Sequence, residues 1–245
     1  MALTGEHQHP DIKIFVSAHK PAVFPEGNSI LPVQVGAAKA AKRFDNTLHD
    51  DEGENISDKN PRYCELTAQY WAWKNEDADY YGFCHYRRYF DFTDTPHQEN
   101  DYGEVIDSYI DSQTIEKYGI NDGDISKAVD GWDVITTPLN DTRRIGGFTN
   151  LKQHWDADRH LRLKDLRHMY DILCARHPDY KADADAVLNG HTAAFCNMFI
   201  MKKDIFFEYN EWLFPLLDEF AEHTDFSKMD VQTTRTVGHL SERLL

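Results

Sequence analysis

The run Asp79-Tyr80-Tyr81-Gly82-Phe83-Cys84-His85-Tyr86-Arg87-Arg88-Tyr89-Phe90 passes from an apolar strand straight into a histidine and two arginines. Packing rarely asks for that. Arginine is among the residues least often fully buried, and its guanidinium fork matches phosphate or carboxylate oxygens at two points. In a continuous strand Arg87 and Arg88 point to opposite faces, so a single ligand meets both only if the strand ends there. The competing reading pairs the two arginines with the chain's own carboxylates.

Those carboxylates are numerous: 42 Asp and Glu against 26 Lys and Arg give a formal net charge of -16. A surface field of that sign repels polyanions, which argues against nucleic acid as a partner. A phosphate-bearing ligand must then be met by a local cluster of cations. The 245 residues, 13% of them aromatic, suffice for a full core. One domain spanning 1–245 is expected, with the polar residues 1–10 disordered. No apolar run approaches the roughly 20 residues of a membrane span, and the first residues lack a signal-peptide pattern. Cys64, Cys84, Cys174 and Cys196 show no C-x-x-C spacing and read as the reduced thiols of a cytoplasmic protein. Peripheral contact with a membrane stays open.

The elements that position the arginines follow from the hydrophobic pattern. Ile12 to Ala18 is a β-rich run stopped by Pro21, which puts Ser17, His19 and Lys20 at a strand's carboxyl end, where open α/β sheets keep their ligand crevice. An ordinary solvated loop is the alternative. Ile30 to Val35 is a second strand, followed by Gly36 and a helix-forming Ala37–Lys42 stretch. Asp45 to Asp58 has no periodicity and reads as a mobile loop, a lid being one use for it. Asn60-Pro61 opens a helix to Asn75 with Asn60 as N-cap, its apolar stripe formed by Tyr63, Leu66, Tyr70 and Trp71. Glu65 lies off that stripe, near the helix's positive end.

Further along, Tyr102 to Tyr118 reads as mostly helical, Gly119 to Gly123 as a turn and Trp132 to Pro138 as a strand. The loop after it holds Arg143 and Arg144 beside two glycines, an anion- or acceptor-binding loop or merely an exposed one. Asp158 is placed to cap a helix with Leu163, Leu166, Met169 and Leu173 on its core face, and Lys181 to Leu188 is a shorter one. His191 stands at the polar entry to a buried strand, and Asn197 is a polar residue in its apolar part that needs a hydrogen-bond partner. Ile205 to Phe220 is amphipathic and contains Pro215. Asp230 precedes the last helical stretch. Strands alternating with helices predict an α/β fold with a mostly parallel sheet.

Several chemistries are excluded. No phosphate-loop, dinucleotide fingerprint, nucleophile-elbow or zinc-helix motif occurs. Four D-x-D pairs do occur, Asp77/Asp79, Asp122/Asp124, Asp156/Asp158 and Asp183/Asp185, but chance gives about three in a chain this acidic. Only Asp77/Asp79 is near the arginine motif, and at the wrong end of its strand.

Taken together, Asn55-Ile56-Ser57, Lys59-Asn60, Glu65-Leu66-Thr67, Tyr70-Trp71-Ala72-Trp73-Lys74-Asn75, Gly82 to Phe90, Asn197 to Met201, Trp212 to Pro215 and Ser241-Glu242-Arg243-Leu244 resemble the domain-of-unknown-function family 4422 over nearly the whole chain. That family comprises bacterial glycosyltransferases of capsule, exopolysaccharide and lipopolysaccharide assembly, some linked to galactofuranose transfer. The resemblance implies a GT-A-like, Rossmann-type sheet that binds a nucleotide-sugar donor, with UDP expected as the nucleotide and galactofuranose favoured as the sugar. The acceptor is a growing glycan, often lipid-linked, met at the inner face of the membrane. By this resemblance Ser17, His19, Lys20, Gln34, Gly36, Asn60 and His85 fall on the donor side, and Arg143, Arg144, His191 and Asn197 on the acceptor side. His85, Arg87 and Arg88 stand where related folds keep a D-x-D, so the arginines are expected to neutralise the leaving diphosphate without a metal. The alternative is Mn2+ or Mg2+ held by His85 together with a nearby carboxylate or His239. Asp230 is the expected general base, with helix capping as its other reading. The chain also stops just after Ser-Glu-Arg-Leu-Leu, where relatives are expected to continue. A non-catalytic nucleotide- or carbohydrate-binding module and a phosphate-transferring enzyme are the rival functions.

Overall fold

The computed structural model describes residues 10–245; residues 1–9, and the disorder expected there, lie outside the described residues. The chain runs β1 (Ile12–Ala18), β2 (Ile30–Gln34), β3 (Leu48–His49), α1 (Asn60–Tyr63), α2 (Leu66–Asn75), β4 (Tyr80–His85), α3 (Ser112–Lys117), α4 (Asp122–Val129), β5 (Val134–Thr136) and β6 (Asn140–Asp141). It continues through α5 (Leu151–Ala157), α6 (Leu163–Arg176), α7 (Lys181–Asn189), β7 (Thr192–Ala193), β8 (Phe199–Lys202), α8 (Lys203–Glu222), α9 (Val231–Thr234) and α10 (Thr236–Ser241).

Six strands form one sheet in the order β3-β2-β1-β4-β8-β5. The run from β3 to β4 is parallel, and β8 lies antiparallel between β4 and β5. β1 and β4 are buried on both faces, which is why they read as near-continuous apolar runs. Gly82 lets β1, β4 and β8 close up: a Cβ there would sit 2.9 Å from Ile14 Cγ1 and 3.1 Å from Ile200 Cγ1. One face packs Ile14, Val16, Cys84 and Ile200 against Ile125 and Val129 of α4. The other packs Phe15, Tyr81, Phe83 and Phe199 against Trp71 of α2 and Phe206 of α8. A further cluster joins Trp155, Leu166, Leu173, Leu213, Leu217, Val237 and Leu240 among the later helices. This is the GT-A-like, Rossmann-type α/β arrangement with a mostly parallel sheet. Among the described residues no helix is long and apolar enough to cross a membrane.

The structure corrects several local expectations, each for a physical reason. Ala37–Lys42 makes a single 3-10 turn over Ala37–Lys39 and no longer helix. The acidic stretch Asp45–Asp58 is no free lid, because the fully buried Asp50 ties it down. Asp50 accepts from Gly36 N (2.8 Å), Ala37 N (3.0 Å), Ser57 Oγ (2.5 Å) and Thr67 Oγ1 (2.6 Å). The helix after Pro61 is two helices, broken at Cys64 with φ 54 and ψ -130, and Lys59, not Asn60, is at the N-cap. Glu65 then caps α2. Between Tyr102 and Tyr118 only Ser112–Lys117 is helical, and the expected turn at Gly119–Gly123 runs into α4, capped by Asn121. α5, which starts at Asn150, has Asp158 at its C-terminal end, so Asp158 caps no helix N-terminus.

Candidate active site

The carboxyl ends of β1, β2 and β4 come level in the sheet: Ser17 is in register with Val33 and His85, and Ala18 with Gln34. Just beyond them lies a cleft of about 450 Å³ lined by His19, Lys20, Gln34, Gly36 and Asn60, five of the residues expected on the donor side. Lys39, Lys42 and Phe44 also line it and had no signal beyond their type. Ser17 does not reach this cleft; it is buried in β1, and its carbonyl accepts from Tyr86 N. Gln34 is spent on the wall, donating to Lys42 O and accepting from Phe44 N. Gly36 is required by its conformation and its setting: its φ is +67, and a Cβ would come within 2.7 Å of Asn60 Oδ1. Asn60 in turn donates to Cys64 O and Thr67 Oγ1.

β4 ends at His85, and the chain turns at once, with His85 N donating to Arg88 O and Arg88 N to His85 O. Arg87 and Arg88 are therefore exposed turn residues and not alternate sides of a strand. Arg87 lies 5.0 Å from the Tyr86 ring centroid, Lys20 Nζ lies 5.5 Å from it, and the His19 ring meets it edge-on at 5.3 Å. Burial, then Lys20, Arg235 and Arg87 in that order, lower the pKa of His19. Positive charge thus converges beside the cleft in a strongly acidic chain. None of Lys20, Arg87 and Arg88 has a carboxylate within 4.0 Å among the described residues. His85 Nε2 lies 2.6 Å from Cys196 O; a carbonyl only accepts, so Nε2 carries the proton there and is not offered to a metal.

Behind the arginine turn sit two carboxylates. Glu65 Oε1 accepts from Asn197 Nδ2 at 2.7 Å, and Glu242 Oε1 accepts from Cys196 N at 3.2 Å. Burial pushes the Glu242 carboxyl up to about 7; Glu65 adds to the rise, while Arg243 and Arg88 oppose it. Arg235 donates to Cys64 Sγ at 3.3 Å, and burial followed by Arg235 lowers the pKa of His239 on α10. Cys64, Cys196 and Asn197, with φ of 54, 78 and 49, surround this cluster. Non-glycine residues held at positive φ store strain and gather at functional sites. Glu242 belongs to one of the sequence runs that carried the resemblance, but its proton affinity is set by burial, by the adjacent Arg243 and by Glu65, Cys196 and Arg88 from elsewhere in the chain.

The residues expected to meet the acceptor divide into two groups. Arg143, Arg144 and His191 gather on the small β6–β7 unit, where the His191 carbonyl accepts from Thr142 N and Oγ1. Arg143 clasps Asp141 through Nε and Nη2, which holds the Asp141 carboxyl down at about 2, while Arg144 is exposed. Asn197 is elsewhere and buried, its amide used within the protein: Nδ2 donates to Glu65 and to Gly238 O, and Oδ1 accepts from Ser241 Oγ. It has no polar atom left for a sugar. Asp230 is the exposed N-cap of α9; its Oδ1 accepts from Gln232 N and Thr233 N, and those bonds lower its pKa and weaken it as a base. At the opposite end of β4, Asp77 pairs with Lys203, and Asp79 accepts from Asp11 N.

No curated protein matches the chain. Among solved structures, the chain is similar to the apo structure of WbbM, a bifunctional glycosyltransferase, with a TM-score of 0.91 and 36% sequence identity. The match covers 96% of this chain and 41% of that one, so the chain spans less than half the length of its structural relative. The family model described as "Domain of unknown function (DUF4422)" matches residues 13–245. With the cleft, the arginine turn and all of the sheet but Ile12 inside that span, the chain belongs to the DUF4422 family.

Proposed function

We propose that the chain is a glycosyltransferase that moves a sugar, galactofuranose in our reading, from a uridine diphosphate donor onto a growing cell-surface glycan of the capsular or lipopolysaccharide type. The observation that carries this reading is the convergence of Lys20, Arg87 and His19 on Tyr86 at the mouth of the cleft, with no carboxylate among the described residues paired to Lys20 or Arg87. Cations left unpaired in a chain of net charge -16 suit an anionic ligand. The likeness to a bifunctional glycosyltransferase supports sugar transfer as the chemistry.

In this reading the nucleotide occupies the cleft between Lys20, Gly36 and Asn60, with the Phe44 ring available to its base. The diphosphate faces Arg87 and Arg88, which stabilise the charge that develops as it leaves, so no metal is required. Arg143, Arg144 and His191 meet the acceptor on the β6–β7 unit. The work is done in the cytoplasm at the inner face of the membrane, by one GT-A-like domain.

Thermal shift with free nucleotides tests the donor. A ligand present at a hundredfold its Kd and bound only by the folded chain stabilises it by about 2.7 kcal/mol. Uridine diphosphate is expected to raise the Tm. No shift with saturating uridine diphosphate, alongside a shift with another nucleoside diphosphate, would refute the donor.

A further inference from the structure

We propose that Glu242 is the general base that takes the proton of the acceptor hydroxyl, aimed by the backbone N–H of Cys196 and faced by the second carboxylate, Glu65. This rests on the transferase reading above. Three independent features support it. The Glu242 side chain is 16% exposed, largely enclosed but not sealed from solvent. Its Oε1 is oriented by Cys196 N at 3.2 Å, and Cys196 itself is held at φ 78, so strained backbone fixes the carboxylate. Across from it Glu65 is pinned by Asn197, the residue after Cys196, also at positive φ.

The groups that face Glu242 come from each element around it. Arg243 Nη1 lies 3.7 Å from Oε2, and Arg88 on the turn after β4, Glu65 at the head of α2, Arg235 at the head of α10 and the thiols of Cys64 and Cys196 lie within electrostatic range. Burial outweighs Arg243 and Arg88 and keeps the carboxyl near neutrality, where a general base is most effective at physiological pH. The same Arg88 belongs to the turn that faces the diphosphate in the proposed reading, which puts base and leaving-group cation within electrostatic range of each other. In the step, the acceptor O–H bond breaks and its proton goes to a Glu242 carboxylate oxygen. The hydroxyl oxygen's electron pair forms the bond to the anomeric carbon, and the bond from that carbon to the diphosphate oxygen breaks with its pair on the departing nucleoside diphosphate. Glu242 then returns the proton to water.

The test uses the full chain with UDP-galactofuranose as donor and octyl galactoside as acceptor, following kcat/KM against pH in wild type, Glu242→Gln and Glu65→Gln. Wild type is expected to lose activity as pH falls through about 7, the base being active only when ionised. Glu242→Gln is expected to fall about 10²- to 10⁴-fold while keeping the uridine diphosphate shift in Tm. Glu65→Gln, which still accepts from Asn197, is expected to move the acid limb to lower pH by removing a like charge. A merely structural Glu65 would leave that limb in place. Wild-type turnover in Glu242→Gln, or an acid limb unmoved in Glu65→Gln, overturns this inference alone. A wild-type chain that binds uridine diphosphate but consumes no donor overturns the transferase reading and this inference with it.

Discussion

Asn197 donates its side-chain N–H to Glu65 Oε1 over 2.7 Å, joining residues 132 positions apart in sequence. The same amide accepts from Ser241 Oγ and donates to Gly238 O, so one buried side chain fastens the head of α2 to α10. Gly238 makes the approach close, since a Cβ there would meet Cys64 Cβ and Sγ at 3.2 Å. Asn197→Ala takes the amide away from Glu65, while Ser241 Oγ and the Gly238 carbonyl keep each other, and it is expected to cost about 1 to 3 kcal/mol of stability. Urea denaturation measures it, and a loss within about 0.5 kcal/mol would mean that water replaces the amide.

Arg87 and Arg88 are exposed and pair with no carboxylate among the described residues, so Arg87→Ala and Arg88→Ala should leave the Tm nearly unchanged. Each is expected to lower kcat by about 10²- to 10³-fold, the usual effect of deleting a donor to a developing anion. Unfolding of both variants, with full activity in whatever remains folded, would make the arginines structural.

Glu242 also couples stability to pH. It binds its proton more tightly in the folded chain, near 7 against 4.5 for the free side chain, so stability falls as pH rises from about 4.5 to about 7 and stays lowered above that. Glu242→Gln removes this titration. The variant is expected to be more stable than wild type at pH 8 by about 1 to 3 kcal/mol and to gain nothing at pH 4. Denaturant melts at the two pH values decide it; equal stability at pH 8 would contradict burial as the cause.

Metal dependence follows from what faces the diphosphate. In the proposed reading Arg87 and Arg88 neutralise its charge, so transfer is expected to survive excess EDTA. Abolition by EDTA and rescue by Mn2+ would show that the arginines are not the sole charge stabiliser.

How much of this was legible in the sequence depends on the range of the forces involved. β1 and β4 were readable because strands buried on both faces are written as apolar runs, and the end of β1 pointed correctly to the cleft at His19 and Lys20. The break at Cys64 was not readable: no glycine or proline marks it, and it is held by Asn60 and by the packing of Gly238. Asp50 looked like one acid among many in a polar loop, and only the fold reveals four donors converging on it. Asp230 offered two local readings, and its cap is now visible. Glu242 offered none, since its burial and its neighbours Glu65, Arg88 and Arg243 are mostly products of tertiary structure.

The most direct measurement is the transfer of a radiolabelled sugar from UDP-galactofuranose to octyl galactoside, with uridine diphosphate release followed in the same reaction. The account predicts labelled product and nucleotide in equal amounts from wild type, and neither from Arg87→Ala/Arg88→Ala over the same time. Nucleotide binding without any labelled product, across uridine diphosphate donors and galactoside acceptors alike, would contradict it.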